Sequence, residues 1–129
     1  MKSEWTIRKT ANPEVRLRLF CFPPAGGSAT AFFPLMERMP QGVELCPVEL
    51  PGHGSRLTEP PIRCLEDLIA ALEENLSASW GHPFAFWGHS MGALVSFELA
   101  RALRRNERGP MPAHLFVSAF RAPQLPGPG

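Results

Sequence analysis

Residues 84–97 read FAFWGHSMGALVSF and hold a serine, Ser90, between two glycines in the pattern Gly-x-Ser-x-Gly. The apolar run 84–87 predicts a short strand that is buried on both faces. Residues 91–104 are apolar almost all round and predict a buried helix that begins directly after the serine. A strand, a tight turn and a helix in this order are typical of a nucleophile elbow, which holds a reactive serine at the tip of the turn.

The two glycines of the pattern, Gly88 and Gly92, have a steric explanation. The turn of an elbow is tight and strained, and side chains at these positions would collide with the neighbouring strand and helix. Ser90 is then a candidate nucleophile near the positive end of the helix dipole. The alternative interpretation is a Gly-Ser turn in which Ser90 only caps the helix.

The rest of the chain alternates predicted strands with predicted helices. Strands are expected at 15–22, 43–50 and 114–120, and helices at 30–39 and 65–76. Pro34 suits the first turn of its helix, whereas Pro47 cannot donate to a ladder and indicates an edge or a bulge in its strand. This alternation predicts an α/β fold, with a parallel sheet and flanking helices joined by right-handed crossovers.

Length, charge and cysteine content exclude several classes of function. The chain has 129 residues, enough for about one domain. A net charge of +1 argues against a nucleic-acid partner and against a basic membrane-surface protein. No signal peptide or membrane span is visible, so we expect a cytoplasmic protein without a membrane partner. The three cysteines lack CxxC spacing, which favours free buried thiols over a metal site.

A serine that attacks a carbonyl also needs hydrogen-bond donors for the developing oxyanion. One is expected from the backbone N–H of Met91, the residue after the serine. The other is expected from the turn after the first strand, where Pro23 and Pro24 have no N–H and Ala25 is the first available donor. Ala25 and Met91 therefore form the predicted oxyanion hole, with an ordinary glycine turn as the alternative explanation of the Ala25 segment.

Four stretches together resemble a known family. FCFPPAGGSATAF, LPGHGSRLTEPP, FWGHSMGALVSFELARAL and LFVSAFRAP follow one another in the order and spacing of type II thioesterases. These are the α/β-hydrolases that accompany nonribosomal peptide and polyketide synthases. The resemblance covers nearly all of the chain from Val15 onward and implies a partial α/β-hydrolase fold. Leu35 stands where these enzymes often carry a tryptophan, which implies a different acyl pocket rather than different chemistry.

The resemblance implies a substrate, a partner and a covalent mechanism. The substrate would be an acyl or aminoacyl thioester on the phosphopantetheine arm of an acyl- or peptidyl-carrier protein. Hydrolysis would pass through an acyl-Ser90 intermediate that water releases. No cofactor is expected, since the carrier protein brings the phosphopantetheine, and no metal is expected.

The general base and acid of a catalytic triad are not identifiable in this sequence. In hydrolases of this type the acid and then the histidine follow the serine in the chain. After Ser90 the candidates are Glu98, within the helix, Glu107, in a loop, and His114, which opens the last predicted strand. Six residues of strand span about 20 Å, so His114 should lie at the other end of the sheet from Ser90.

The histidines and the aspartate that precede Ser90 in the chain are not suitable as its base and acid either. His53 lies in a loop that resembles a structural loop of the family, His89 is adjacent to the nucleophile, and Asp67 is on a distant helix. We therefore expect residues 1–129 to be the N-terminal portion of one thioesterase domain, and the isolated chain to be nearly inactive. The alternatives are a non-catalytic remnant that binds a partner, or a medium-chain acyl-carrier-protein thioesterase or general esterase with the same motifs.

Overall fold

The central sheet has four strands, β1 (Leu17–Phe22), β2 (Val43–Pro47), β3 (Phe84–His89) and β4 (Leu115–Ser118). This is a computed structural model, and it describes residues 5–7, 14–24, 26–77, 80, 83–105 and 109–118. The strand order is β2-β1-β3-β4, and all three pairings are parallel. The predicted α/β architecture with a parallel sheet is confirmed.

Helices cover both faces of the sheet. Helix α1 (Phe33–Met36), which follows a 3-10 turn at Ala29–Phe32, packs on one face with Leu45 and Trp87. Helices α2 (Leu65–Leu76) and α3 (Met91–Arg105) pack on the other face. Within the described parts of the chain, no helix combines the length and the apolarity needed to cross a membrane.

The larger core lies between the sheet and the pair α2 and α3. Helix α2 buries the apolar stripe predicted from its spacing and carries Glu66 and Asp67 in its first turn, near the positive end of its dipole. Rings from the sheet fill the centre of this core, where Phe20 meets Trp80 edge to face at 5.3 Å. Truncating such a residue would leave a cavity that the surrounding elements fill only in part.

The segment predicted as one helix at 30–39 is instead a 3-10 turn followed by the four-residue α1. Pro34 explains the break, because it has no N–H to donate to the carbonyl of Thr30 and its ring would crowd that carbonyl. The 3-10 turn ends at Phe32, and Pro34 then occupies the first turn of α1, where a missing N–H is tolerated.

The strand boundaries also differ from the predictions. β1 begins two residues later than expected, because the amides of Arg16 and Leu17 both donate to the carbonyl of Gly42. β3 continues to His89, since Gly88 and His89 pair with β4. The last two residues predicted for the final strand, 119 and 120, lie outside the described residues.

An N-terminal segment that the sequence pattern did not predict lies along the end of β2. Thr6 forms an antiparallel bridge with Val48, and the amide of Ile7 donates to the carbonyl of Pro47 at 3.0 Å. β2 is an edge strand of the described sheet, as the proline indicated, and its ladder with β1 ends at Pro47. The bridge provides backbone partners at the point where the ladder stops.

Candidate functional site

Ser90 occupies the turn between β3 and α3 with a left-handed backbone, at φ 57°. It is the one non-glycine residue with a positive φ in the described part of the chain. This conformation costs about 1–2 kcal/mol for an L-residue and clusters at functional sites. It also differs from the extended backbone that is typical of a helix N-cap. The turn therefore has the strained strand-turn-helix geometry of an elbow.

Contacts from β4 hold the turn in place. The Ser90 amide donates to the carbonyl of Ser118 at 2.9 Å, and the Ser90 carbonyl accepts the amide of Ala93 at 2.9 Å. The Ser118 hydroxyl accepts the indole N–H of Trp87 at 3.3 Å and lies 3.0 Å from Nδ1 of His89. The sequence gives no signal for Ser118, because the contact joins segments that are far apart in the chain.

Gly88 and Gly92 allow close backbone approach around Ser90. A Cβ on Gly88 would overlap the backbone of Gly92 and Ala93, and a Cβ on Gly92 would overlap the carbonyl of Phe22 at the end of β1. Both glycines thus allow the start of α3 to lie directly against the strands. This close packing is the reason for assigning both glycines to the predicted elbow.

A cleft of about 300 Å³ opens beside the start of α3. Its walls come from the turn after β1, the loop after β2 and the first turns of α2 and α3. Most of the lining is apolar. The lining residues are Pro23, Pro24, Gly26, Gly27, Leu50, His53, Ile62, Arg63, Cys64, Leu65, Leu68, Met91, Leu94 and Val95.

The two segments predicted to form the oxyanion hole both border this cleft. Met91 lies on one side, and Pro24, Gly26 and Gly27 lie on the other. Gly26 has φ 73° and the amide of Gly27 donates to the carbonyl of Pro24 at 2.9 Å, so the segment is a tight turn. Ala25 itself lies outside the described residues, and its role stays a prediction.

The titratable residues that follow Ser90 lie away from the elbow where they are described. The carbonyl of His114 accepts the amide of Phe86 at 3.1 Å, which puts His114 near the beginning of β3 while Ser90 follows its end. Glu98 pairs with Arg101 at 3.1 Å on an exposed part of α3. Glu107 lies outside the described residues.

Two earlier candidates have different surroundings. His53 lines the cleft, whereas Asp67 is exposed on the first turn of α2. No histidine or carboxylate among the described residues is hydrogen-bonded to the Ser90 hydroxyl. In the same part of the chain, no group of three or more histidine, cysteine or acidic side chains is arranged to hold a metal ion.

Glu49 is a buried carboxylate that the motifs did not single out. It is 1% exposed and directly precedes the LPGHG segment. Its oxygens accept hydrogen bonds from the turn that precedes α1 and from the loop that holds His53. Its acidic side chain within the mostly apolar stretch 43–50 was the one available signal, and this does not distinguish a buried carboxylate from a solvated one.

The three cysteines differ in exposure, which predicts their reactivity. Burial raises the pKa of the Cys21 thiol well above its usual range, with a smaller contribution from Cys46, so the thiolate is strongly disfavoured. Cys46 is also buried, whereas Cys64 is exposed at the rim of the cleft. We expect one rapidly reacting thiol per folded chain with Ellman's reagent, and two more after unfolding. Cys64→Ser should abolish the rapid phase, and a second rapid thiol would contradict the described packing of β1 and β2.

Comparisons with known proteins agree with this geometry. A family model described as a thioesterase domain matches residues 17–127. The chain is 43% identical over 124 residues to the gramicidin S biosynthesis protein GrsT of Aneurinibacillus migulanus, and the match covers 96% of this chain and 48% of that protein. The chain spans about half the length of the curated relatives it matches.

Solved structures give the same result. RedJ, a thioesterase from the prodiginine pathway of Streptomyces coelicolor, is 44% identical with a TM-score of 0.81, over 94% of this chain and 47% of RedJ. BorB, a type II thioesterase from the borrelidin cluster, is 33% identical with a TM-score of 0.85, over 100% of this chain and 52% of BorB. The predicted resemblance and the partial α/β-hydrolase fold are confirmed. The chain belongs to the thioesterase domain family.

Proposed function

We propose that this chain is the nucleophile-bearing portion of a type II thioesterase, a serine hydrolase that releases acyl groups from carrier proteins. The observation that carries the proposal is the left-handed Ser90 between β3 and α3, directly before Met91, which lines an apolar cleft. The similarity to BorB and GrsT supports a role in the biosynthesis of peptides or polyketides.

The proposed reaction has two steps. The Ser90 hydroxyl attacks the thioester carbonyl, its proton passes to a general base, and the oxyanion accepts N–H groups from Met91 and Ala25. The C–S bond then breaks, and the phosphopantetheine thiol leaves with a proton while the acyl group stays on Ser90. Water attacks this ester in the second step, which releases the carboxylic acid and restores the serine hydroxyl. No cofactor of the enzyme takes part.

The base and its acidic partner are proposed to come from outside residues 1–129. The described surroundings of His114 and Glu98 support this, because neither residue is near Ser90. His53 borders the cleft but belongs to the loop after β2, and we propose no proton transfer for it. A serine hydrolase without its histidine loses about 10⁶-fold in turnover, so the 129-residue chain alone should be nearly inactive.

Carrier-bound substrates test the proposed substrate class. The protein expressed from the full reading frame that contains this chain should hydrolyse acyl groups on a phosphopantetheinylated carrier protein in preference to the corresponding oxygen esters. Comparing peptidyl-carrier and fatty-acyl-carrier substrates distinguishes the proposed role from that of a medium-chain acyl-carrier thioesterase. His53→Ala should keep kcat within about tenfold, because we propose no proton transfer for His53, whereas loss of the histidine base of a serine hydrolase costs about 10⁶-fold.

Covalent labelling tests the expected inactivity of the chain by itself. A fluorophosphonate probe should label Ser90 rapidly in the full-reading-frame protein and only at the background rate in the 129-residue chain. Rapid labelling of the 129-residue chain at Ser90 would contradict a base supplied from outside it. Failure of the full protein to hydrolyse any carrier-bound thioester would favour a non-catalytic binding role.

A further inference from the structure

The Glu49 carboxylate joins two separate walls of the cleft. Oε1 accepts the backbone amide of Ala29 at 2.9 Å. Oε2 accepts the amide of Ser55 at 3.2 Å and its hydroxyl at 3.1 Å. The side chain is 1% exposed, so it has exchanged water for these three donors. An ionised carboxylate is an acceptor only, and it suits a position surrounded by N–H and O–H groups.

Both donors belong to segments that shape the site. Ala29 begins the 3-10 turn directly after the predicted oxyanion turn, of which Gly26 and Gly27 line the cleft. Ser55 lies two residues after His53, which lines the cleft from the loop side. The carboxylate thus fixes the separation between the turn after β1 and the loop after β2, both of which carry residues that line the cleft.

The loop after β2 is shaped around this carboxylate. A Cβ on Gly54, which has φ 50°, would lie 2.5 Å from Oε2 and 2.6 Å from Oε1. The buried Arg56 donates to the backbone carbonyl of Glu49 at 3.1 Å. Arg56 also forms two hydrogen bonds with Glu59 and lies 4.3 Å from the centroid of the Trp5 ring. Glu49 is therefore held on its backbone side as well, so its carboxylate is a fixed point and not a mobile surface group.

We propose that Glu49 is a positioning residue that aligns Gly26 and Gly27, in the turn where Ala25 is the predicted oxyanion donor, against the start of α3. This inference rests on the proposed function. Glu49 touches no reacting atom and acts through the Ala29 amide. Displacing an oxyanion donor weakens binding of the transition state more than binding of the substrate, and losing one such donor costs 10²–10³-fold in kcat.

Two variants remove the link from opposite sides. Glu49→Leu removes both acceptor oxygens, so neither the Ala29 amide nor the Ser55 amide keeps its partner. Ala29→Pro removes the donated N–H itself and puts the proline Cδ where the hydrogen pointed at the carboxylate, so the segment at Ala29 has to move away from Glu49. The backbone before it is compatible with proline, since Ser28 is extended at φ −138° and ψ 174°. Ser55→Ala is the matched control, since it removes one hydrogen bond to the same carboxylate but leaves the Ala29 link.

The variants are compared in the full-reading-frame protein with a carrier-bound thioester. We expect Glu49→Leu and Ala29→Pro to lower kcat about 100-fold with KM changed less than threefold. Binding of an alkylboronic acid, which mimics the tetrahedral intermediate, should weaken by a similar factor. Ser55→Ala should lower the Tm slightly and keep kcat within threefold. A loss of kcat that is equal in Ser55→Ala, or a normal kcat in a folded Glu49→Leu or Ala29→Pro protein, would overturn the proposal.

Hydrogen exchange separates failure of this inference from failure of the proposed function. Peptides spanning 26–32 should exchange faster in Glu49→Leu than in the wild-type protein, whether or not the protein hydrolyses thioesters. Unchanged exchange together with unchanged kcat refutes the positioning role. If the wild-type protein and Ser90→Ala are equally inactive, the proposed function fails, and the exchange rates alone decide whether Glu49 orders the turn.

Discussion

Replacing Ser90 with alanine is expected to lower kcat for carrier-bound thioesters about 10⁶-fold in the full-reading-frame protein. The reason is that the attacking oxygen is lost, and only binding and any oxyanion stabilisation remain. The fold should be unaffected, because alanine takes the same left-handed backbone at a similar energetic cost. Stopped-flow or single-turnover release of the carrier thiol measures the rate, and calorimetry should show a Tm within about 2 °C of wild type.

A second serine, in the helix that follows Ser90, provides the matched control. Ser96 is buried in α3 and its hydroxyl donates to the carbonyl of Ala93 at 2.9 Å. Ser96→Ala removes a hydroxyl of the same kind without touching the cleft, and kcat should stay within about threefold. If Ser90→Ala keeps more than about 1% of the wild-type kcat, Ser90 is not the nucleophile.

Gly92→Ala is expected to destabilise the protein by about 3 kcal/mol, although helix propensity alone favours alanine by about 1 kcal/mol. The added Cβ would overlap the carbonyl of Phe22, which is main chain and cannot rotate away. The first turn of α3 would therefore have to move off the end of β1. A fall in Tm of about 10 °C, measured by calorimetry or by loss of helical circular dichroism, is the expected result.

Gly26→Ala separates the steric effect from the general cost of replacing a glycine. Gly26 has φ 73°, but among the described residues, apart from its chain neighbours, no atom lies within 4 Å of the position of an added Cβ. Its replacement should cost only the strain of a left-handed backbone, about 1–2 kcal/mol. A Gly92→Ala protein as stable as wild type would show that α3 does not lie against β1 as closely as described.

The sequence predicted the parts of the fold that depend on local patterns. The apolar spacing of Leu65–Leu76 and the pattern around Ser90 identified α2, β3 and α3 nearly to the residue. The failed prediction at 30–39 has a local cause too. Pro34 is compatible with a first helical turn, but only a helix that starts near residue 33 puts it there.

The site was less predictable, because its contacts join distant segments. The backbone of Trp5 and Thr6 contacts the backbone of Glu49 and Val48. The described segment 5–7 is too short to show a periodic pattern, so the sequence did not predict these contacts. The buried carboxylate of Glu49 depends on donors 20 residues before it and 6 residues after it. A sequence pattern indicates which groups are charged, whereas burial and partners follow from the tertiary fold.

The hydrogen bond from the Ser90 amide to the carbonyl of Ser118 determines when, during folding, the turn at Ser90 can be completed. Strand β3 and helix α3 are adjacent in the chain, and their contacts are local. The acceptor of the Ser90 amide, the Ser118 carbonyl, comes into place only when β4 pairs with β3. This pairing requires the chain between Ser90 and Ser118 to close into a loop. During synthesis, while Ser118 is still inside the ribosome, the nascent chain contains β3, the turn and α3 but lacks this acceptor. Ser90 thus acquires its full set of described backbone hydrogen bonds late in the folding of this region.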